Sequence, residues 1–152
     1  MMNPSKANEA VACFDASFNC SQAILSTYCG YFGMDKKTAL QIACGFGSGM
    51  GRQQEICGAV AGAYMLIGLK HGRHTVEDVQ AKEKTYALVR EFAAQFKELH
   101  KSTNCRELLG ADMMDEADKQ AVAERLKTFC PGVVRDATEI VERLLFSEGG
   151  GI

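Results

Sequence analysis

Several familiar signals are missing from this chain, and each absence closes a class of function. No two of its seven cysteines stand in C-x-x-C spacing, so neither a thioredoxin-type pair nor a local zinc knuckle is present, and the lack of C-x-x-C-H excludes covalent haem attachment of that kind. The start, MMNPSKANEAVACF, has no apolar stretch after a basic one, as a secretory signal would require, and the longest apolar run, Ile56 to Leu69, is too short to span a bilayer. Basic residues are scattered rather than gathered in a stripe, which argues against a nucleic-acid surface. Strand signals are nearly absent. These features predict a cytoplasmic protein with no membrane span and no nucleic-acid partner.

What is present fits one globular domain. The chain has 152 residues, 47% of them hydrophobic, and a formal charge of −2, within the usual range for a single core. The expectation is an all-α, single-domain bundle of about five to seven helices over residues 1–148, followed by a flexible tail at 149–152. Asn8 to Cys29 reads as one or two helices with Asn19 as a break or cap, and Asp35 precedes a short helix, KKTALQIAC, ended by Gly45. Cys57 to Leu69 is apolar nearly all round and belongs at the centre; Gly58 and Gly62 lie four apart on one face, where a neighbouring helix can approach closely. Thr75 and Asp78 resemble a capping box opening a helix to about His100, with Val89, Phe92, Phe96 and Leu99 on its apolar face. A short helical turn ends at Gly110, and Asp115–Phe129 and Pro131–Phe146 read as the last two helices.

The densest motif is GFGSGMGRQQEICGAVAGA, Gly45 to Ala63, with six glycines, Arg52 and Cys57. A phosphate loop fails in detail: the first glycines alternate, no G-x-G-x-x-G falls among them, no strand leads in and no GK[ST] follows. A sharp reversal between packed helices accounts for most of the glycines. Cys57, however, falls at the first turn of the central helix, where unpaired amides and the helix dipole favour a thiolate, with Arg52 available to add positive charge.

Helix position divides the cysteines. Cys20, Cys57, Cys105 and Cys130 each fall at a predicted helix start, whereas Cys29 and Cys44 precede helix-ending glycines and Cys13 lies inside a helical run. A helix start lowers a thiol pKa and offers N–H donors to sulfur in any of its states. Singly, each of the four more often packs as a small hydrophobe. Together they invite convergence on one site, with the glycine loop running against it. His71, His74 and His100 read as solvated or helix-end residues, and no carboxylate pair is spaced for acid–base work.

Taken together, FNCSQAIL, GFGSGMGRQQEICGAVAGAYMLIGLKHG, CRELLG and CPGVVRDATEIVERLL resemble the C_GCAxxG_C_C family of redox-active proteins. The resemblance is most specific at Cys57-Gly58-Ala59-Val60-Ala61-Gly62, which matches the C-G-A-x-x-G motif without a departure, and looser toward the C-terminus. It implies that the family's four characteristic cysteines fall on Cys20, Cys57, Cys105 and Cys130, the same four that helix position selects. The family's redox label rests largely on those cysteines. Its members resemble companions of transport systems, and a related arrangement beside an iron–sulfur centre in split-Soret cytochromes brings cluster binding into view.

Two versions of a redox site follow as expectations. In thiol–disulfide exchange, Cys57 attacks and one of Cys20, Cys105 and Cys130 resolves. In electron transfer, all four hold an iron–sulfur cluster or other metal, with amides around Gly47, Gly49, Gly51 and Gly58, and Arg52, tuning it. The alternative is a helical interaction module in which the four cysteines clasp a structural metal without redox activity. Redox partner, substrate, enzymatic status and any homo-oligomer stay open at this level.

Overall fold

A computed structural model describes residues 4–147. Eight right-handed α-helices account for most of them: α1 (Ala7–Asp15), α2 (Cys20–Tyr28), α3 (Lys36–Cys44), α4 (Gly58–His71), α5 (Val79–His100), α6 (Cys105–Leu109), α7 (Lys119–Thr128) and α8 (Cys130–Phe146). Short 3-10 turns follow α2 and precede α7, and no strand occurs among the described residues beyond one isolated bridge, Ile56 to Asn104. The fold is therefore all-α in one compact domain, with one helix more than the upper expected count. The expected flexible tail, 149–152, lies outside the described residues.

Helix α4 is the axis of the core. Its residues Ala59, Val60, Ala63, Leu66 and Ile67 are fully buried, and it packs against α2, α5 and α8. The two small positions do what their spacing predicts. A Cβ on Gly62 would stand 2.9 Å from Cβ of Ile24 and 3.0 Å from the carbonyl oxygen of Ser21, and one on Gly58 would overlap the Cys20 sulfur. Bare backbone at these positions lets α2 lie directly on α4. The apolar side of α8, from Val133 and Val134 through Ala137, Ile140, Val141 and Leu145, closes the core against α1, α4 and α5.

Two boundaries differ from the sequence reading. Asp78, not Thr75, caps α5 by accepting from the Ala81 amide at 3.0 Å, while the Thr75 carbonyl accepts from the Asp78 amide in the preceding turn. Leu99 is 56% exposed and leaves the apolar face, which ends at Phe96; one turn later His100 bonds Asp136 at 2.9 Å. At the other junction α8 begins at Cys130, so Pro131 is its second residue and the backbone of Phe129 is shared between the end of α7 and the start of α8.

Candidate functional site

The N-terminus of α2 shows how a thiol comes to carry several donors. Asn19 and Gln22 form a complete capping box: the Gln22 amide donates to Asn19 Oδ1 and the Asn19 amide to Gln22 Oε1, both at 2.9 Å. Their remaining side-chain donors tie α2 to α3, Asn19 Nδ2 to the Cys44 carbonyl at 2.9 Å and Gln22 Nε2 to the Leu40 carbonyl at 3.0 Å. The first helical residue, Cys20, has its sulfur against its own amide and those of Ser21 and Ser48, with the Cys57 thiol as its neighbour. The Cys57 hydrogen bond, followed by the backbone donors, outweighs burial and lowers the Cys20 thiol from 9.0 to about 7.

Cys57 caps α4 and is 7% exposed. Its own amide donates to the Thr103 carbonyl at 2.8 Å, and its sulfur lies near the Ala59 and Val60 amides. The neighbouring Cys20 sulfur, burial and the negative charge on Cys20 all push its pKa well above the usual thiol value. Burial thus works against the expectation from helix position that Cys57 is the nucleophile. Both cysteines stand at helix starts, but only Cys20 collects a third segment's amide, from Ser48. Cys105, the first residue of α6, is pushed to about 11 by burial and then by the charge on Cys20; Cys130 is pushed to about 12 by burial and by Cys20 and Cys105, with Arg125 opposing.

The glycine loop is a left-handed turn. Five consecutive residues, Ser48 through Arg52, have φ between 55° and 70°, and the Gly51 amide closes on the Gly47 carbonyl at 2.9 Å. Gly49 needs its missing side chain twice over: its φ is +66°, and a Cβ there would lie 2.6 Å from Cα of Gln54 and 2.7 Å from Cβ of Cys105. Left-handed backbone at the non-glycine positions costs roughly 1–2 kcal/mol per residue and persists only where surrounding bonds impose it. Those bonds are present. The backbone amide of Cys105 donates to the Glu55 carbonyl at 2.6 Å, that of Arg106 to the Gln54 carbonyl at 3.2 Å, and the Gln54 and Glu55 amides donate back to the Ser48 and Gly49 carbonyls. Gln54, itself buried, gives Nε2 to the Ala111 carbonyl and takes the Met113 amide on Oε1, each at 2.8 Å.

Cys20, Cys57, Cys105, Cys130 and Gly58 all line one cavity of about 430 Å³. Ser48 joins them there, and Gly47 and Gly49 are buried behind the loop, packed on Asn19 and Cys105 respectively. Gly51 and Arg52 are exposed and do not line it, so Arg52 adds no charge at the sulfurs. Cys13, Cys29 and Cys44 stay outside: Cys13 faces Ser26 Oγ at 3.7 Å, buried Cys29 donates to the Ser26 carbonyl at 3.5 Å, and Cys44 is exposed. Ser48 and Gln54 are the participants that sequence reasoning missed. No residue type marks them; the alternation of glycines around Ser48 is their one trace.

All the cysteines are free thiols. Among the described residues, no three Cys, His, Asp or Glu side chains converge closely enough to hold a metal ion, so the four-sulfur set as it stands does not fit a cluster or a zinc. No described helix is long and apolar enough to cross a membrane. Searches of curated proteins and of solved structures gave no match. Residues 18–144 match the family model described as "Putative redox-active protein (C_GCAxxG_C_C)", a span that takes in all four cavity cysteines, and the chain belongs to that family.

Proposed function

We propose that the protein performs thiol–disulfide exchange, with Cys20 as the attacking thiolate and Cys57 as the resolving thiol. The observation that carries this is placement: the two cysteines stand at adjoining helix starts and line one cavity, and the Cys20 sulfur packs where a side chain on Gly58, the residue after Cys57, would stand. The neighbouring sulfur moves their pKa values in opposite directions, Cys20 down to about 7 and Cys57 up. A thiol with a pKa near ambient pH is the best compromise between thiolate fraction and nucleophilicity.

The step balances without a metal. The Cys20 thiolate attacks one sulfur of a substrate disulfide, the substrate S–S bond breaks, and one substrate thiolate leaves. Cys57 then gives up its proton to that leaving thiolate, attacks the Cys20 sulfur and expels the second substrate thiolate. The substrate gains two electrons and the protein is left with a Cys20–Cys57 disulfide, which an external dithiol must reduce. The high pKa values of Cys105 and Cys130 suit them to remain protonated meanwhile.

The test is oxidation of fully reduced protein with one equivalent of a small disulfide, acid quenching and peptide mapping. A Cys20–Cys57 linkage is expected; oxidation that leaves this pair reduced rejects the assignment. The common lining of one cavity by four cysteines favours a second reading, a metal or iron–sulfur centre on all four; it would require the four sulfurs to draw together, as the Cys20–Cys57 disulfide requires of its two, since no two cysteines stand at disulfide distance. Protein purified without oxygen distinguishes the two: a brown, iron-containing preparation supports the cluster, and a colourless, metal-free one supports exchange.

A further inference from the structure

We infer that the cavity above Cys20 takes a small, uncharged organic disulfide with an apolar body, in preference to a protein disulfide or a charged peptide disulfide. The inference rests on the exchange reading and adds the class of substrate. Its first support is depth. Cys57 is almost wholly covered, the other three cysteines are half-buried, and all four open into a space of about 430 Å³, within the range of roughly 300–1,000 Å³ that small-molecule sites occupy.

The second support is the wall. Phe14 and Phe18, at the end of α1 and in the turn after it, Leu126 and Phe129, around the end of α7, and Met113, in the segment that Gln54 pins, enclose the space beyond the sulfurs. Among the described residues, Asp15 and Lys127 are the only charged side chains on the lining, and they are of opposite sign. Ser17, Asn19 and Ser48 also line the cavity, but a polypeptide disulfide would bring more backbone N–H and C=O groups into this mainly apolar space than these few side chains can meet, and a charged peptide disulfide would carry its carboxylates there. An aromatic or aliphatic disulfide loses nothing by desolvation and gains the contact area. Its S–S bond then lies over Cys20, and two substrate thiols leave after the exchange and resolution steps described above.

The experiment uses the reduced full-length protein and three oxidants: 4,4′-dithiodipyridine, oxidised glutathione and insulin. Each rate is divided by that of a free small thiol with the same oxidant, corrected for thiolate fraction, so that intrinsic reactivity cancels. Dithiodipyridine should saturate and give a normalised rate at least tenfold above the other two. Its unreactive analogue 1,2-bis(4-pyridyl)ethane, with two methylenes in place of the sulfurs, should inhibit competitively. A variant carrying Phe18→Ser and Met113→Ser should lose at least threefold of that advantage while the pH midpoint of Cys20 labelling stays where it was; Phe18 is 41% exposed, which limits the cost to folding. Linear rates with equal normalised values, a preference for insulin, or absence of inhibition by the analogue would overturn the substrate class while leaving exchange intact. Failure of all three oxidants to produce the Cys20–Cys57 disulfide would instead remove the exchange reading itself.

Discussion

The sulfur of Cys20 occupies the place where a side chain on Gly58 would stand, which sets it beside the start of α4 and Cys57, where the two helices pack through Gly58 and Gly62, and the neighbouring Cys57 thiol helps to lower the Cys20 thiol to about 7. Competitive alkylation across a pH series should therefore show Cys20 labelling half-maximally near pH 7. Cys57, Cys105 and Cys130 should label only in alkaline solution, since burial and neighbouring charge hold all three protonated. Exposed Cys44 provides the internal control for access. Labelling of Cys57 ahead of Cys20 at pH 7, read by mass spectrometry, would favour the helix-start expectation and reject Cys20 as the attacking thiolate.

Thiol protonation is linked to stability in two opposite windows. Cys20 has a folded value of about 7 against 9.0, so the stability it contributes is present above pH 9 and lost as pH falls toward 7. Cys105 and Cys130 have folded values of about 11 and 12, so theirs is present below pH 9 and lost as pH rises to 12. Denaturant titrations of reduced protein should show that Cys20→Ser flattens the rise between pH 7 and 9. Cys130→Ser should flatten the fall above pH 9. If both variants track the parent at every pH, the thiols are not coupled to folding.

Gly58→Ala tests the contact beneath the thiolate. The added Cβ meets the Cys20 sulfur, the Phe46 carbonyl oxygen at 3.0 Å and the Ser21 amide at 3.2 Å, and the two backbone atoms cannot move aside. A loss of about 1–3 kcal/mol is expected, as for overpacking elsewhere, and it should exceed the helix-propensity gain of about 1 kcal/mol. The same variant should raise the pH midpoint for Cys20. Unchanged stability and midpoint would mean that α2 does not lie on Gly58.

Within the left-handed turn, two glycines separate strain from contact. Gly51→Ala meets only the Gly45 carbonyl oxygen, at 3.9 Å, so it should cost about 1–2 kcal/mol for its φ of +66° and leave Cys20 reactivity unchanged. Gly49→Ala adds collisions with Gln54 and Cys105, and should cost more and alter thiol reactivity. Conversely, Arg52→Gly, at φ 70° on an exposed residue, should stabilise by about 0.5–1 kcal/mol. Chemical denaturation measures all three; equal effects of the two alanine variants would disprove the packing of Gly49 against Cys105.

Two buried polar residues should respond oppositely. Gln54→Ala leaves the Ala111 carbonyl and Met113 amide unpaired and should cost about 1–3 kcal/mol, with faster hydrogen exchange at Met113. Ser21 Oγ is buried without a hydrogen-bond partner, so Ser21→Ala should be neutral or slightly stabilising. A destabilised Ser21→Ala would reveal a bond to that hydroxyl.

Local chemistry made much of this legible in the sequence. The caps at Asn19 and Asp35, the glycine stop after α6 and the apolar periodicity of α8 are short-range signals, and they placed four cysteines at helix starts. The surroundings of each sulfur were not legible, because they depend on which amides from distant segments reach it. Ser48 reaches Cys20 across 28 residues, and nothing near either residue announces it. Arg52 misled for a related reason: proximity in sequence suggested charge at the thiol, whereas the left-handed path of the loop leaves it exposed. Leu99 kept the three-four spacing but lies one turn past the last contact of α5 with the core.

The order in which the site's parts occur along the chain bears on how it is made. Cys20 and Cys57 belong to helices complete by His71, whereas Thr103, which holds the Cys57 amide, and the wall residues around Cys130 come later. At roughly 5–20 residues per second, the ribosome takes about 3–12 seconds to add the roughly 60 residues between His71 and Cys130. During that interval the nascent chain carries both thiols of the pair without the cover that later restricts access to them. Until the C-terminal helix arrives, the thiol pair is open to any oxidant that the finished cavity would restrict.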